Sequence, residues 1–587
     1  MDTMSYIRLT LIFYLAATPL YAAASPDLRG EGLSLMSIWR HKKDLPAKPD
    51  SRPYLYNRNI ITIRPTARTT LRAQSVFLRR EKTSSGASES PIDPVALKNG
   101  LFLRHATVSL SAPHYNLVIG DFNAGWGQGL LTSAQPNDPY RPLLYADHAA
   151  RLKENASSME NTGLRGVATT LDTRHWRVLS ALTRTPLHGR VDAQGYFNDK
   201  LETLNRVFYG EWADASDLAR RNALMETGAL LRVENSALPV ALAFADFKYD
   251  CAIAPAIKTS ALPTDNSTYF RGVHIVLISA DMQARISDAM RIFSEAALSM
   301  HAASRAPAAI VGLKHKSGDV RHAFGVFYLD SRFVSRLASY PRLQTDAGNS
   351  RTGAFLMRQW RHGPHLLGLR LYHERNLSSD FTGSSLSHAP PWPRDTFSLL
   401  ADSRTRLDRN GSLYNKLQAD LEPYLINANS DARVTDIQTY SWRGQFDRKQ
   451  KAALSTFGIR LALEHCAQSS RRNAYGGVIF AQRSMLLRQG LSLYLKLTAF
   501  DLSRGLFASR NIYIGTSEPY WQGAHLSSVA YQSLFASYAP RGYRSAAALS
   551  ARPASGFTAW FKLGRTHLLA DHPRTLYDLK FEITLSH

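Results

Sequence analysis

The sequence predicts an all-β protein, a large transmembrane antiparallel β-barrel of roughly 20 or more strands, with short turns on one rim and long loops on the other. Three observations carry that expectation. Apolar and polar side chains alternate with a two-residue period along most of the chain, which places them on opposite faces of a sheet. The alternating segments, each about ten residues long, meet in pairs through Gly, Asn, Asp and Pro turns, the signature of hairpins. The chain also opens with an export-type leader, yet no later segment has the ~20 apolar residues that a membrane helix needs.

The leader is the first element. Arg8 precedes an apolar run from Leu9 to Tyr21 that ends in Ala22, Ala23 and Ala24. That layout assigns residues 1–24 to a secretory signal peptide cleaved near Ala24. A membrane anchor fits less well, because the run is short and contains Pro19. Residues 25–58 then read as a short periplasmic N-terminal segment and 59–587 as the outer-membrane barrel. The apolar patch at Val273–Ala280 is no membrane helix either, since Asp281, Gln283 and Arg285 follow at once.

The hairpins come next. GLRGVATTLD meets HWRVLSALTRT through a polar turn, and GALLRVEN meets LPVALAFADFKYD through Asn235 and Ser236. Val311–His315 runs through KSGD into VRHAFGVFYLD, where Val320, His322, Phe324, Val326 and Tyr328 share one face. AFLMRQW meets HLLGLRLYHER through RHGP, and FSLLADSRTRLD meets SLYNKLQADLEPYL through DRNG. MRIFSEAALSMH reads as a strand, whereas Asp214–Ala229 reads as a short helix in a loop with Asp217 near its start. Arg184–Glu226, Asp250–Tyr269 and Asn376–Pro393 are the long connections. The last stretch, with Tyr577, Leu579, Phe581, Ile583 and Leu585 on one face, resembles the closing strand of such barrels, although it ends in His587. A propeller would show a repeat of about 40–50 residues, and none is found.

The net charge of +24 invites a polyanion partner. The cations form no tail or patch, however; they occur singly, mostly as Arg, inside alternating segments such as RTTLRAQSVFLRR and LLGLRLYH. A dry inner face could not hold them unpaired, so that face is expected to line water. Arg also suits phosphate-rich surroundings. The partners implied are outer-membrane lipid and lipopolysaccharide, and an anionic solute or polyanion; no protein partner is indicated.

Searches for chemistry return little. Cys251 and Cys466 lie far apart in sequence and read as two unrelated small apolar residues, with one long-range bridge in an oxidising compartment as the alternative; no zinc spacing surrounds them. No phosphate-binding, nucleophile-elbow or metalloprotease motif is present, so no catalytic, cofactor or metal residues are assigned and no enzyme is expected. His114, His148 and His175 read as solvated histidines, and Asp121, Glu160, Glu211 and Glu295 as structural acids facing arginines.

One stretch stands apart, VIGDFNAGWGQGLLTS at Val118–Ser133. Gly125, Gly127 and Gly129 lack the final glycine of a dinucleotide fingerprint, and prolines rather than a helix follow. The three share one parity, so within a strand they would leave a groove in the wall for another segment, with Gln128 presented on the other face beside Trp126. Gly120, Asp121, Gly125, Trp126, Gly127, Gln128, Gly129 and Leu130 are therefore taken as a structural motif.

The core G-D-F-x-x-x-x-G-Q-G-L, Gly120 to Leu130, resembles a motif of a Bacteroidota-type family of outer-membrane barrels known as helix-hairpin-helix-containing proteins. Ser157–Asn161, Leu164–Val167, Val191–Ala193, FSEAALS with AAIVGLK, and GNSRTGAFLMRQW are similar to further segments of that family, in the same order. The resemblance implies an outer-membrane barrel from about residue 55 onward. It implies no DNA role, because the helix-hairpin-helix module has no counterpart in Ser25–Tyr54. The role expected is an integral outer-membrane conduit or partner platform, with an Arg-rich lumen favouring anionic cargo. Two alternatives are a polyanion-binding surface protein without transport and an outer-membrane hydrolase.

Overall fold

The computed structural model describes residues 32–42, 54–80, 101–132, 151–155, 163–197, 222–254, 270–338, 351–376, 394–408, 411–428, 431–452, 455–468, 474–504, 541–552, 557–569 and 574–585, apart from isolated positions. Every regular element among the described residues is a strand. The first nine are β1 (Gly32–Lys42), β2 (Tyr54–Thr66), β3 (Thr69–Arg80), β4 (Leu101–Ala112), β5 (Tyr115–Gly125), β6 (Arg151–Glu154), β7 (Leu164–Asp172), β8 (Trp176–Leu187) and β9 (Leu224–Asn235). Then come β10 (Val240–Ile253), β11 (Gly272–Arg285), β12 (Met290–His301), β13 (Ser304–Ser317), β14 (Val320–Leu329), β15 (Arg351–His362), β16 (His365–Asn376) and β17 (Arg394–Arg406). The last eight are β18 (Gly411–Ala428), β19 (Asp431–Ala452), β20 (Ser455–Gln468), β21 (Ala474–Arg488), β22 (Leu491–Arg504), β23 (Arg541–Ala551), β24 (Phe557–Leu568) and β25 (Arg574–Leu585).

These strands form one large antiparallel sheet in chain order. The hairpins expected from the turn residues are all paired, for example Ser317↔Val320 and His362↔His365 at two turns. The last strand pairs with the first: Leu33↔Leu585, Ser34↔Thr584 and Leu35↔Ile583. β6 is the exception, since it pairs only with Phe122–Gly125 of β5, while β7 takes Tyr115–Phe122. Setting β6 aside from the 25 strands leaves 24. An even count puts the start of β1 and the end of β25 on the same rim, the one carrying turns such as Gly318-Asp319 and Gly363-Pro364. Beyond Phe397↔Leu421 and Thr439↔Gln468, β18 and β19 pair only with each other and stand above the opposite rim.

The two faces of the sheet differ. On β10, Ala241, Ala243, Ala245, Phe247 and Tyr249 are buried, while Leu242 is 61% exposed and Phe244 39%. On β14 Ala323, Phe327 and Leu329 are buried and Phe324, Val326 and Tyr328 are exposed, the grouping the alternation predicts. Leu182 on β8 and Leu497 on β22 are 70% and 66% exposed. Large apolar side chains thus stand bare on the outer face, whereas the inner face is filled, by alanines, by buried rings such as Phe247 and Phe327, and by paired charges. On the outer face the hydrogen-bonded pairs His274–Asp246 (2.6 Å) and His373–Asp395 (2.8 Å) bound the apolar band toward the long-loop rim.

Two expectations need correction. Residues 25–58 were expected to lie outside the sheet, yet β1 and the first residues of β2 fall within them and are paired throughout β1. A short apolar segment with a free neighbouring edge is drawn into the ladder, because pairing satisfies its amides. The helix expected over Asp214–Ala229 is a strand from Leu224 onward, where Leu224, Glu226 and Leu230 bury one face with period two; the part before Asn222 lies outside the described residues. So does the signal peptide at 1–24.

The pairing of β1 with β25 has a direct check. Ser34 and Thr584 stand opposite each other, so the double variant Ser34→Cys with Thr584→Cys is expected to form a disulfide that joins the two ends of the chain. Gel mobility should change and revert with reductant; two free thiols under oxidising conditions would refute the pairing.

Candidate functional site

The glycine-rich stretch begins as wall and ends as filling. The ladder of β4 with β5 stops at Thr107↔Gly120. Gly120 has φ +105, and a Cβ there would run into the carbonyl oxygen of Ala106, so only glycine allows the close approach. Asp121 pins the point of departure. Its side chain accepts the Ala106 amide at 2.9 Å and Arg165 Nε at 2.8 Å, and its carbonyl accepts from Thr107 Oγ1 and the Asn155 amide. The expectation of a structural acid facing an arginine fits this residue.

Past Asp121 the chain folds over the inner face. Phe122–Gly125 pair with β6, and β6 is held against the wall by Ser109 Oγ on Glu154 and by Asn116 Nδ2 on the Leu152 carbonyl. Gly125 is the end of β5, and Trp126–Leu131 form a turn closed by the Trp126 amide on the Thr132 carbonyl (3.3 Å) and the Gly129 amide on the Trp126 carbonyl (3.2 Å). The three glycines therefore do not line one face of a strand. Gly127 and Gly129 sit in the turn with φ +56 and +88, a backbone that a strand excludes. Rather than forming a groove for another segment, the motif is itself the segment that settles inside.

It settles on Glu295. This side chain projects from β12, and its Oε2 accepts the amides of Gln128 (2.5 Å) and Leu130 (3.2 Å). A Cβ on Gly127 would stand 2.7 Å from the same oxygen. Trp126, Gln128, Leu130, Leu131 and Thr132 are all buried. Trp126 and Leu131 join an apolar cluster that includes Phe122, Leu164, Phe247 and Val334; Leu130 joins a second one with Phe293, Phe327, Phe333 and Tyr372. The turn thus bridges the two halves of the filled interior.

Charges around it are paired. Arg232 forms a two-armed contact with Asp281, which stands opposite Glu295 in the ladder of β11 with β12, and also meets Glu234 at 3.6 Å. A second segment, Arg332–Ala338, follows β14 and also turns inward. Arg336 clasps Glu226 through Nε (3.0 Å) and Nη2 (2.6 Å), and Tyr249 donates to the same carboxylate. Burial alone would lower the Arg336 guanidinium, but Glu226 outweighs it and raises Arg336 above the ordinary arginine range. Ser335 Oγ donates to the Leu131 carbonyl at 2.5 Å, so the two inward segments touch. Arg351 and Glu374 make a further inner pair at 3.4 Å.

Of the other residues singled out in sequence, His114 and His175 are exposed at turns, while His148, Glu160 and Glu211 lie outside the described residues. Among the described residues no group of His, Cys, Asp or Glu could hold a metal ion.

No family model and no curated protein matches the chain in sequence, so neither supports the resemblance to the helix-hairpin-helix-containing barrels. Among solved structures it is similar to the siderophore receptor PirA from Acinetobacter baumannii, at 9% identity over 95% of this chain and 81% of that one, with a TM-score of 0.42. It is similar to the translocation pore of the P pilus usher PapC at 8% identity, 94% and 99% coverage and a TM-score of 0.39. A BenF-like porin from Pseudomonas fluorescens Pf-5 gives 10% identity, 78% and 98% coverage and a TM-score of 0.32.

Glu295 reads in the sequence as a structural acid facing an arginine, whereas its side chain accepts the Gln128 and Leu130 amides; the roles of Ser335 and the Glu226–Arg336 pair are absent from the sequence reading. Glu295 carries the one available signal, a carboxylate between small residues in SEAALS on the inner parity of a strand.

The hold on the turn is measurable. Glu295→Ala strips the acceptor from two buried amides and is expected to cost about 1–3 kcal/mol. Gly127→Ala adds a Cβ against that carboxylate at a positive φ and is expected to cost about 1–3 kcal/mol. The double variant should cost less than the sum of the two, since removing Glu295 removes the clash. Urea midpoints check this; full additivity would show that the two residues do not meet.

Proposed function

We propose that the protein is an integral outer-membrane β-barrel, closed by β1 against β25, that acts as a conduit whose interior holds the Trp126–Thr132 turn as a plug. The observation that carries the reading is the bare outer face: large apolar side chains stand exposed on it strand after strand, while the inner face is packed and its charges are paired. Water would penalise that outer face, whereas hydrocarbon accepts it, and a closed ladder leaves no amide unpaired in lipid. Strands of 10–14 residues, such as β8 to β16, suit a tilted crossing. An exported chain with both ends on the short-turn rim agrees with insertion from the periplasm.

The preference for anionic cargo belongs to this proposal in a narrower form. In the part of the interior nearest the plug, Arg232, Arg336 and Arg351 face carboxylates, so they are bound up in the filling. The place to test it is β22–β24, whose inner face carries Lys496, Arg544 and Lys562, one on each of three adjacent strands and all buried. Cations on a channel wall concentrate anions near it.

The test begins with membrane fractionation and an unheated-versus-boiled gel shift. A shift in the outer-membrane fraction is expected; a soluble protein without a shift would sink the barrel reading. Leu242→Arg or Leu497→Arg, placed in the bare apolar face, should lower stability in bilayers by about 2–4 kcal/mol while leaving a soluble fold largely unaffected. In planar bilayers Glu295→Ala is expected to raise the frequency of conducting events, and reversing Lys496, Arg544 and Lys562 to Glu to shift selectivity toward cations. Equal conductance with and without Glu295 would remove the plug from the proposal, and unchanged ion selectivity would remove the anion preference.

A further inference from the structure

We infer that the outer face of β15–β18 holds a binding site for one anionic glycerophospholipid, a site that rests on the membrane-barrel reading above. Two adjoining cavities of about 530 and 550 Å³ lie along these strands. The ladder orders their outward residues in four rows. From the short-turn rim inward, the first row is Trp360, Leu367, Ser403 and Asn415, and the second is Arg358, Leu369, Ala401 and Leu417. The third is Leu356, Leu371, Leu399 and Ala419, and the fourth is Ala354, His373, Phe397 and Leu421. The cavities are therefore successive parts of one groove, floored by Ala354, Ala401 and Ala419 between larger neighbours.

The groove has two chemical halves. Its short-turn half contains a guanidinium, a hydroxyl and an amide, from Arg358, Ser403 and Asn415, beneath the indole of Trp360. Arg358 is exposed, stands opposite His322 in the ladder with β14, and has no carboxylate partner among the described residues. The other half is apolar until it reaches the His373–Asp395 pair. Four rows span about 20 Å along the strands at ~3.4 Å per residue. A strand tilt of about 40° reduces this to roughly 15 Å of depth, half of the hydrocarbon core. A cation with hydrogen-bond donors at headgroup level, above an apolar channel one leaflet deep, is complementary to an amphiphile with a phosphate head and a long acyl chain. A neutral chain would leave Arg358 without its counterion, and a helix from a partner is too wide for a floor of single alanines between leucines.

The experiment uses the purified full chain in detergent, mixed with phosphatidylglycerol or with a neutral diacylglycerol, and read by native mass spectrometry. One phosphatidylglycerol retained per chain is expected, with little diacylglycerol. Arg358→Glu reverses the headgroup contact and should cut retention about tenfold. Ala401→Trp fills the floor and should cut it as strongly without touching a charge. Equal retention of both lipids, or retention unchanged in either variant, overturns the site. A dimer that disappears in Ala401→Trp assigns the groove to a second copy of the chain and overturns it equally. An unheated-versus-boiled gel of each sample reads the barrel separately: no shift sinks the barrel and the lipid site together, whereas a shift without lipid retention sinks the lipid site alone.

Discussion

A strand turns its side chains to opposite faces at every step, and this chain meets different demands on the two faces. Each strand has to supply apolar side chains that stand bare on the outside and, on the inside, groups that either pack closely or are neutralised, residue by residue. Leu242 and Leu497 on one face and Ala243 and Ala546 on the other express the same rule. It also governs where arginine can go. Arg232 and Arg336 enter the interior only because Asp281 and Glu226 meet them there; an unpaired guanidinium in that filling would cost far more than the pair.

Within that frame, Glu295 converts a wall into a container. Its carboxylate takes two amides that a turn leaves unpaired, so a segment with little secondary structure becomes a fixed part of the interior. The glycines serve this contact. Gly120 lets the strand leave the sheet and Gly127 lets the backbone reach the carboxylate. The contact joins positions 167 residues apart, which ties the early hairpins to the middle ones across the interior.

The architecture was legible in the sequence because the two-residue period and the turn residues are local signals. Gly318-Asp319 and Gly363-Pro364 mark their hairpins without help from the rest of the chain. β1 was missed because nothing in Gly32–Lys42 announces a strand by itself; its place comes from pairing with β2 along its whole length and with β25 at Leu33–Leu35. The helix read into Asp214–Ala229 shows the opposite failure: ETGALLRV has local helix formers, but burial of Leu224, Glu226 and Leu230 against their neighbours decides for a strand. For the glycine motif, residue types were informative and geometry was not. Parity within a strand says nothing once Gly127 takes a positive φ, and the acceptor that fixes the turn lies on a strand far along the chain.

The pairing of β1 with β25 has a consequence for how the molecule comes into being. All the hairpins can zip from neighbours, but this ladder requires the whole chain to be present, with the largest loop to close and the greatest entropy to overcome. Until then two strand edges stay open, each a template for pairing with a foreign chain. Assembly thus has a slow last step, and its precursor carries two open edges until they meet.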